Sequence, residues 1–131
     1  MARLESRLVR RSELASLTTV KGYDVAIFVQ GKPTGGELVL RLEVSRAFTI
    51  PASATGSQAS AGTTSAGNVS FDLLKNAVSF GTCAFNTSTT GTFTVSSDTS
   101  FVAGDLLTIT APATADGTLA DISITLVGTQ D

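Results

Sequence analysis

The sequence predicts an all-β fold: a single antiparallel β-sandwich of about eight strands, jelly-roll-like, preceded by a short N-terminal arm or helix. Three observations lead there. From Tyr23 onward apolar residues alternate with polar ones at period two, the spacing that puts one set of side chains on each face of a strand. Ser (15) and Thr (20) supply 35 of the 131 residues, and the branched Cβ of Thr stiffens χ1 in a way that suits a pleated surface. Turn signals recur at intervals of roughly eight to twelve residues, the rhythm of a sandwich rather than of helices packed on a sheet.

The first twenty residues follow a different rule. Leu4, Leu8 and Ala15 share one helical face with Leu14 at its margin, which predicts a short amphipathic helix over residues 3–17. A helix of that length is marginal in water by itself and needs a surface to pack on. Arg3, Arg7, Arg10 and Arg11 against Glu5 and Glu13 make the segment locally basic. Four arginines interrupted by glutamates, with no aromatic platform beside them, are a poor nucleic-acid footprint. Residues 1–20 are therefore expected to be a partner-docking arm, with Arg3, Leu4, Arg7, Leu8, Arg10, Arg11, Leu14 and Leu17 as its contact residues, and residues 21–131 a β-sandwich domain.

Tyr23, Val25, Ile27 and Val29 define the first strand, closed by the turn Gly31-Lys32-Pro33-Thr34-Gly35-Gly36. Leu38, Leu40, Leu42 and Val44 alternate with Glu37, Val39, Arg41, Glu43 and Ser45 in the second, and Phe48 and Ile50 prolong it until Pro51 ends ladder pairing. Residues 51–67 contain almost nothing large enough to bury, and read as a long loop, either mobile or ordered at an interface. Val69, Phe71 and Leu73 then lead through Lys75-Asn76-Ala77 into a strand from Val78 to Phe85, a hairpin whose second turn residue is Ala where glycine is preferred. The apolar parity slips beyond Gly81, which predicts a bulge there and turns Cys83 and Phe85 inward. Thr92–Ser96, Leu106–Ala111 and Leu119–Val127 complete the set, with Gly104-Asp105 and Asp116-Gly117 at turns.

Hydrophobic residues at 42% and charged residues at 15% exclude disorder as a description of the whole chain. The early residues contain no apolar run long enough for a signal peptide or membrane span, so synthesis in the cytoplasm and no membrane anchoring are expected. Net charge is −2, but all nine Lys and Arg lie at or before Lys75 while Asp98, Asp105, Asp116, Asp121 and Asp131 follow it. No histidine is present, which removes Ser/His/Asp and Cys/His catalysis and imidazole metal sites. Cys83 is alone and reads as a small core residue. Glycan hydrolysis needs only two carboxylates, and Asp98, Asp105 and Asp116 would serve if they converged at one end of the sandwich. Oxygen ligation of calcium is a second use for such a cluster, although no EF-hand spacing is present. As turn residues they instead bond their own backbone, and that reading is carried forward. No catalytic residue, cofactor or metal site is expected.

Three stretches carry a resemblance: Gly22-Tyr23-Asp24 through Gly31-Lys32-Pro33; Phe71-Asp72-Leu73-Leu74-Lys75-Asn76-Ala77-Val78-Ser79-Phe80-Gly81-Thr82; and Phe101-Val102-Ala103-Gly104-Asp105 with the LLTITAPATADGTLADISITLVGT that follows. Together they resemble a small virion-associated domain of tailed bacteriophages, similar to modules of tail-fibre and other structural proteins, over residues 22–129. The resemblance implies a non-enzymatic virion component assembled in the host cytoplasm and partnered by other phage structural proteins. It would be a tail fibre or tail appendage subunit docked through its arm, or else a capsid decoration protein that clamps the head. A homotrimer, contact with host-surface glycan and no binding of nucleic acid complete the expectation. A free-standing carbohydrate-binding module is the remote alternative, and seven Phe, one Tyr and no Trp offer it little stacking surface.

Overall fold

Residues 21–131 are described by a computed structural model; the expected arm, and every docking residue named on it, lies outside the described residues. Ten strands run in order: β1 (Lys21–Val29), β2 (Leu38–Glu43), β3 (Phe48–Ile50), β4 (Gln58–Thr63), β5 (Asn68–Lys75), β6 (Val78–Asn86), β7 (Thr92–Val95), β8 (Thr99–Phe101), β9 (Leu106–Thr110) and β10 (Ala120–Gln130). They form two five-stranded antiparallel sheets packed as a sandwich. One sheet has the order β1-β10-β3-β8, with β4 also paired to β10; the other has β2-β9-β5-β6-β7. The all-β sandwich is the architecture that the period-two pattern predicts.

β10 organises the first sheet because it is the longest strand. One side of it pairs with all nine residues of β1, from Lys21↔Gln130 to Val29↔Ile122. Its other side is shared, Ala120 to Thr125 with β4 and Thr129 to Gln130 with β3. Val127 lies between those two partners, and its N–H is satisfied by the Ser57 hydroxyl at 2.9 Å. The inward rows meet in one core, where Phe48, Phe71, Phe85, Phe101, Ile50, Leu73, Leu107, Ile109, Leu119, Ile122, Ile124 and Leu126 are fully buried. Each contributes roughly 1.5 to 3 kcal/mol of transfer free energy before conformational entropy is subtracted.

Two expectations need correction. Residues 51–67 are not one long loop: they hold a single 3-10 turn, Ala52–Ala54, and the strand β4. Ala59 and Ala61 face the core there, and their small size lets the chain at Gly91 pass close by; a Cβ on Gly91 would stand 2.6 Å from the Ala59 methyl. Among the described residues the strands number ten rather than about eight: β4 and the three-residue β8 give no clear period, and Phe48 and Ile50, expected to prolong the second strand, form β3 in the other sheet.

The β5–β6 hairpin bears out the bulge. Leu73 pairs with Gly81 but Leu74 pairs with Ser79, so Phe80 is the extra residue on β6. Side-chain parity therefore changes at Phe80, whose ring turns inward and meets Phe101 edge-on at 5.7 Å, while Cys83 and Phe85 remain buried beyond it. The two-residue connection has Asn76 at φ 49° and Ala77 at φ 67°, a type I′ turn, with an alanine held in the left-handed region. Asn76 offsets part of that cost: its side-chain N–H₂ donates to Asp105 and its carbonyl accepts the Leu106 N–H at 2.9 Å. Ala77→Gly should therefore raise stability by about 1 kcal/mol, the cost of a left-handed L-residue. Urea unfolding of the two forms checks this, and an unchanged midpoint would mean that the alanine is not strained.

Candidate functional site

The three candidate carboxylates do not meet. Asp116 lies against residues 66–67 just before β5, and Asp105 against Lys75 and Asn76 at its far end, so a strand of eight residues, roughly 25 Å, separates them. Asp98 shares no hydrogen-bond partner with either and accepts the Ala52 N–H at 2.8 Å. Each is occupied in holding a turn. Asp116 accepts the N–H groups of Ala66, Gly67, Thr118 and Leu119, at 2.9 to 3.1 Å, which ties the connection before β5 to the one before β10. Asp105 accepts the Val102 N–H at 2.9 Å and the Asn76 amide at 3.1 Å, with the Lys75 ammonium 3.9 Å away. Asp121 adds a fourth such contact, its carboxylate accepting the Gly31 N–H at 2.8 Å. Among the described residues no group of three or more Cys, Asp or Glu is placed to hold a metal ion.

Hydrogen bonding more than charge sets the acidity of Asp116 and Asp105. The backbone N–H groups of Ala66, Thr118 and Leu119 hold the Asp116 carboxyl well below the usual carboxylate range. Asp105 is lowered as well, first by the Val102 N–H and then by the Asn76 amide. A carboxylate with a depressed folded-state pKa contributes stability above its unfolded pKa of about 3.9 and loses that contribution as pH falls through the folded value. Asp116→Asn should thus lower the melting temperature at pH 7 by a few degrees, and the gap from the native chain should narrow below about pH 4. Melting curves from pH 7 to pH 2 measure it; a gap independent of pH would remove the ionised carboxylate from the account.

Cys83 has no reactive setting. Its side chain is buried in the core, and burial pushes the thiol up to about 12. Ser65, the buried polar residue among those described, is likewise structural: its hydroxyl donates to the Phe85 carbonyl and accepts the Thr87 N–H at 3.0 Å.

The surface feature with recognition chemistry is the outer face of the sheet built on β10. Register places Phe28 opposite Ser123, Ser123 opposite Ser60, and Ser60 in a bridge with Thr90, so one row crosses the sheet with a ring at one end and three hydroxyls after it. In the neighbouring row Ala26 faces Thr125, and Thr125 faces Gln58. Gln58, Ala59, Ser60, Ser123 and Thr125 line an open hollow of about 290 Å³. Hydroxyls and an amide there offer both donors and acceptors without fixed charge, a surface matched to polar uncharged groups such as those of a sugar. This face was not foreseen, because Ser60 and Ser123 are far apart in sequence. The signal available was the alternation Gln58-Ala59-Ser60-Ala61, whose apolar members are only alanines.

No family model matches the chain, and no curated protein is significantly similar to it. The class of protein defined by fold and site is an antiparallel β-sandwich whose acidic residues brace its turns.

Proposed function

We propose that this chain is a non-enzymatic structural component of a tailed-bacteriophage virion, a tail fibre or tail appendage subunit that docks through residues 1–20. The observation that carries the reading is where the resembling segments fall. Gly22 to Pro33 is β1 and its turn, Phe71 to Thr82 is the β5–β6 hairpin, and Phe101 to Thr129 runs from the end of β8 through β10. The likeness thus covers the framework of both sheets and includes Asp105, Asp116 and Asp121, three of the four aspartates that brace it. In this reading the sandwich faces outward, and the hydroxyl row beside Phe28 meets host-surface carbohydrate.

Capsid decoration is the second reading, favoured by the described residues forming one sandwich with no shaft or repeat among them. Counting the polypeptide per purified particle by quantitative mass spectrometry separates the two. Hundreds of copies mean decoration, a few dozen or fewer mean the tail, and none in the particle defeats the proposal. Deleting residues 1–20 should abolish incorporation; unchanged incorporation would defeat the docking role of the arm.

A further inference from the structure

Strand edges are exposed backbone, and this sandwich protects its edges unequally. β4 is sealed on its outer side, where the Ala61 N–H donates to the Thr89 carbonyl and the Gly91 N–H to the Ala59 carbonyl, at 2.8 and 2.9 Å. β2 is interrupted by a register shift between Leu38 and Leu40 and carries Arg41 and Glu43. β7 has four residues and packs against the 3-10 turn, and β8 has three. Bulges, charges, brevity and cover are the usual means of blocking unwanted pairing.

β1 has no bulge, is not short, and has no covering strand among the described residues. It is nine residues long, it keeps one register with β10 throughout, and its only charges are Lys21 at its end and Asp24. No proline interrupts it, and among the described residues no strand pairs with its other side. The polarity of that side follows from β10. Val127 sends its N–H to Ser57, away from β1, and Val127 is the partner of Asp24. The N–H and C=O groups of Gly22, Asp24, Ala26 and Phe28 must therefore point outward along the free edge, while the alternate residues bond β10. The inward side chains report the same gap, since Tyr23, Ile27 and Val29 stay half-buried although their row faces the core. Phe28 on the opposite face is 64% exposed.

We propose that β1 pairs with β1 of a second copy in antiparallel register, joining two sandwiches through one continuous sheet about a two-fold axis. Self-pairing fits the charge pattern. One Lys and one Asp leave the strand with no net charge, and pairing centred on Ala26 sets each Asp24 opposite the partner's Phe28, well away from the other Asp24. Such a contact closes both free edges at once and buries the half-covered row on each side. A strand paired with its own copy generates a dimer, so this contact gives a two-fold rather than the three-fold arrangement expected from the sequence. The inference is independent of the virion assignment.

Sedimentation velocity of the full chain over a range of concentrations, with Ala26→Pro and Phe28→Lys, tests the pairing. Residue 26 gives no N–H to β10, so a proline there removes an intermolecular donor and leaves the internal ladder intact; Phe28→Lys adds an edge charge and keeps the fold in case the proline does not. The native chain should sediment as a dimer, and each folded variant should dissociate about a hundredfold more readily or more. Amide exchange at Gly22, Asp24, Ala26 and Phe28 should slow as concentration rises. A native chain that stays monomeric overturns the proposal, as does an oligomer indifferent to both variants. Edge amides protected in the monomer also overturn it, because the chain's own residues would then occupy the edge.

Discussion

Phe48→Ala is expected to cost about 3 to 5 kcal/mol, the range for deleting a buried ring from a core that cannot collapse around the gap. Phe48 is wholly inaccessible and is the middle member of an aromatic stack. The Tyr23 ring lies 4.2 Å from it on one side and the Phe101 ring 4.9 Å on the other, both nearly parallel to it. Phe80 closes on Phe101 edge-on from the second sheet, and the Lys75 ammonium stands 5.6 Å from the same ring. The stack therefore runs across β1, β3 and β8 and ties them to β6. Its removal takes away both the buried area and the ring contacts, the latter worth about 0.5 to 1.5 kcal/mol each beyond area. A domain of this size has a net stability of about 5 to 15 kcal/mol, so the variant should unfold at a small fraction of the native urea concentration. Phe28→Ala, on the exposed face, should stay within about 0.5 kcal/mol of the native chain. Equal losses at the two positions would show that the stack is not a source of stability.

That stack marks how far the sequence could be read. Tyr23 and Phe48 were assigned to strands from local alternation, because period two is a property of neighbours and survives without knowledge of the fold. The partnership of Tyr23 with Phe48, and of Phe48 with Phe101, depends on which strands become adjacent: β3 reads as a continuation of β2 although it crosses to the other sheet, and β8 is three residues long, too short to announce itself. β4 was lost for a different reason. Its inward residues are Ala59 and Ala61, whose methyl groups carry little hydrophobic signal, yet small residues are what the passage of Gly91 demands.

The site shows the same division. That Asp105 and Asp116 would serve their own turns was legible from their glycine neighbours and from the habit of aspartate to bond nearby backbone, whereas Asp98 accepts the Ala52 N–H, 46 residues away. Their distribution along β5 was not legible, and it separates Asp105 from Asp116. The row from Phe28 to Thr90 was illegible because it joins four segments through register alone. Asn76-Ala77 lies between these cases: the hairpin was foreseen, but the left-handed alanine depends on Asn76 being tied to Asp105 and Leu106, some thirty residues away.

Gly128→Ala should be the other severe substitution, with a loss of about 3 kcal/mol, at the upper end for overpacking a core. Gly128 lies in β10 opposite Tyr23, beneath the place where the Tyr23 and Phe48 rings come together. A Cβ there would stand 2.8 Å from the Thr49 carbonyl oxygen, 2.9 Å from Phe48 Cδ2 and 3.3 Å from the Tyr23 carbonyl oxygen. Two of those three atoms are backbone, held by the ladders on either side of β10, so rotation of a side chain cannot make room. The backbone at Gly128 is not in the left-handed region, so the obstacle is steric and not conformational. Where an added methyl meets nothing, Gly→Ala stabilises by about 0.4 to 1 kcal/mol through the unfolded chain, and Gly117, with no atom within 4 Å of its built Cβ, is such a position. Opposite shifts of the urea midpoint for Gly117→Ala and Gly128→Ala are the expected result. A Gly128→Ala chain as stable as the native one would mean that β1, β10 and β3 do not approach as closely as the stacked rings require.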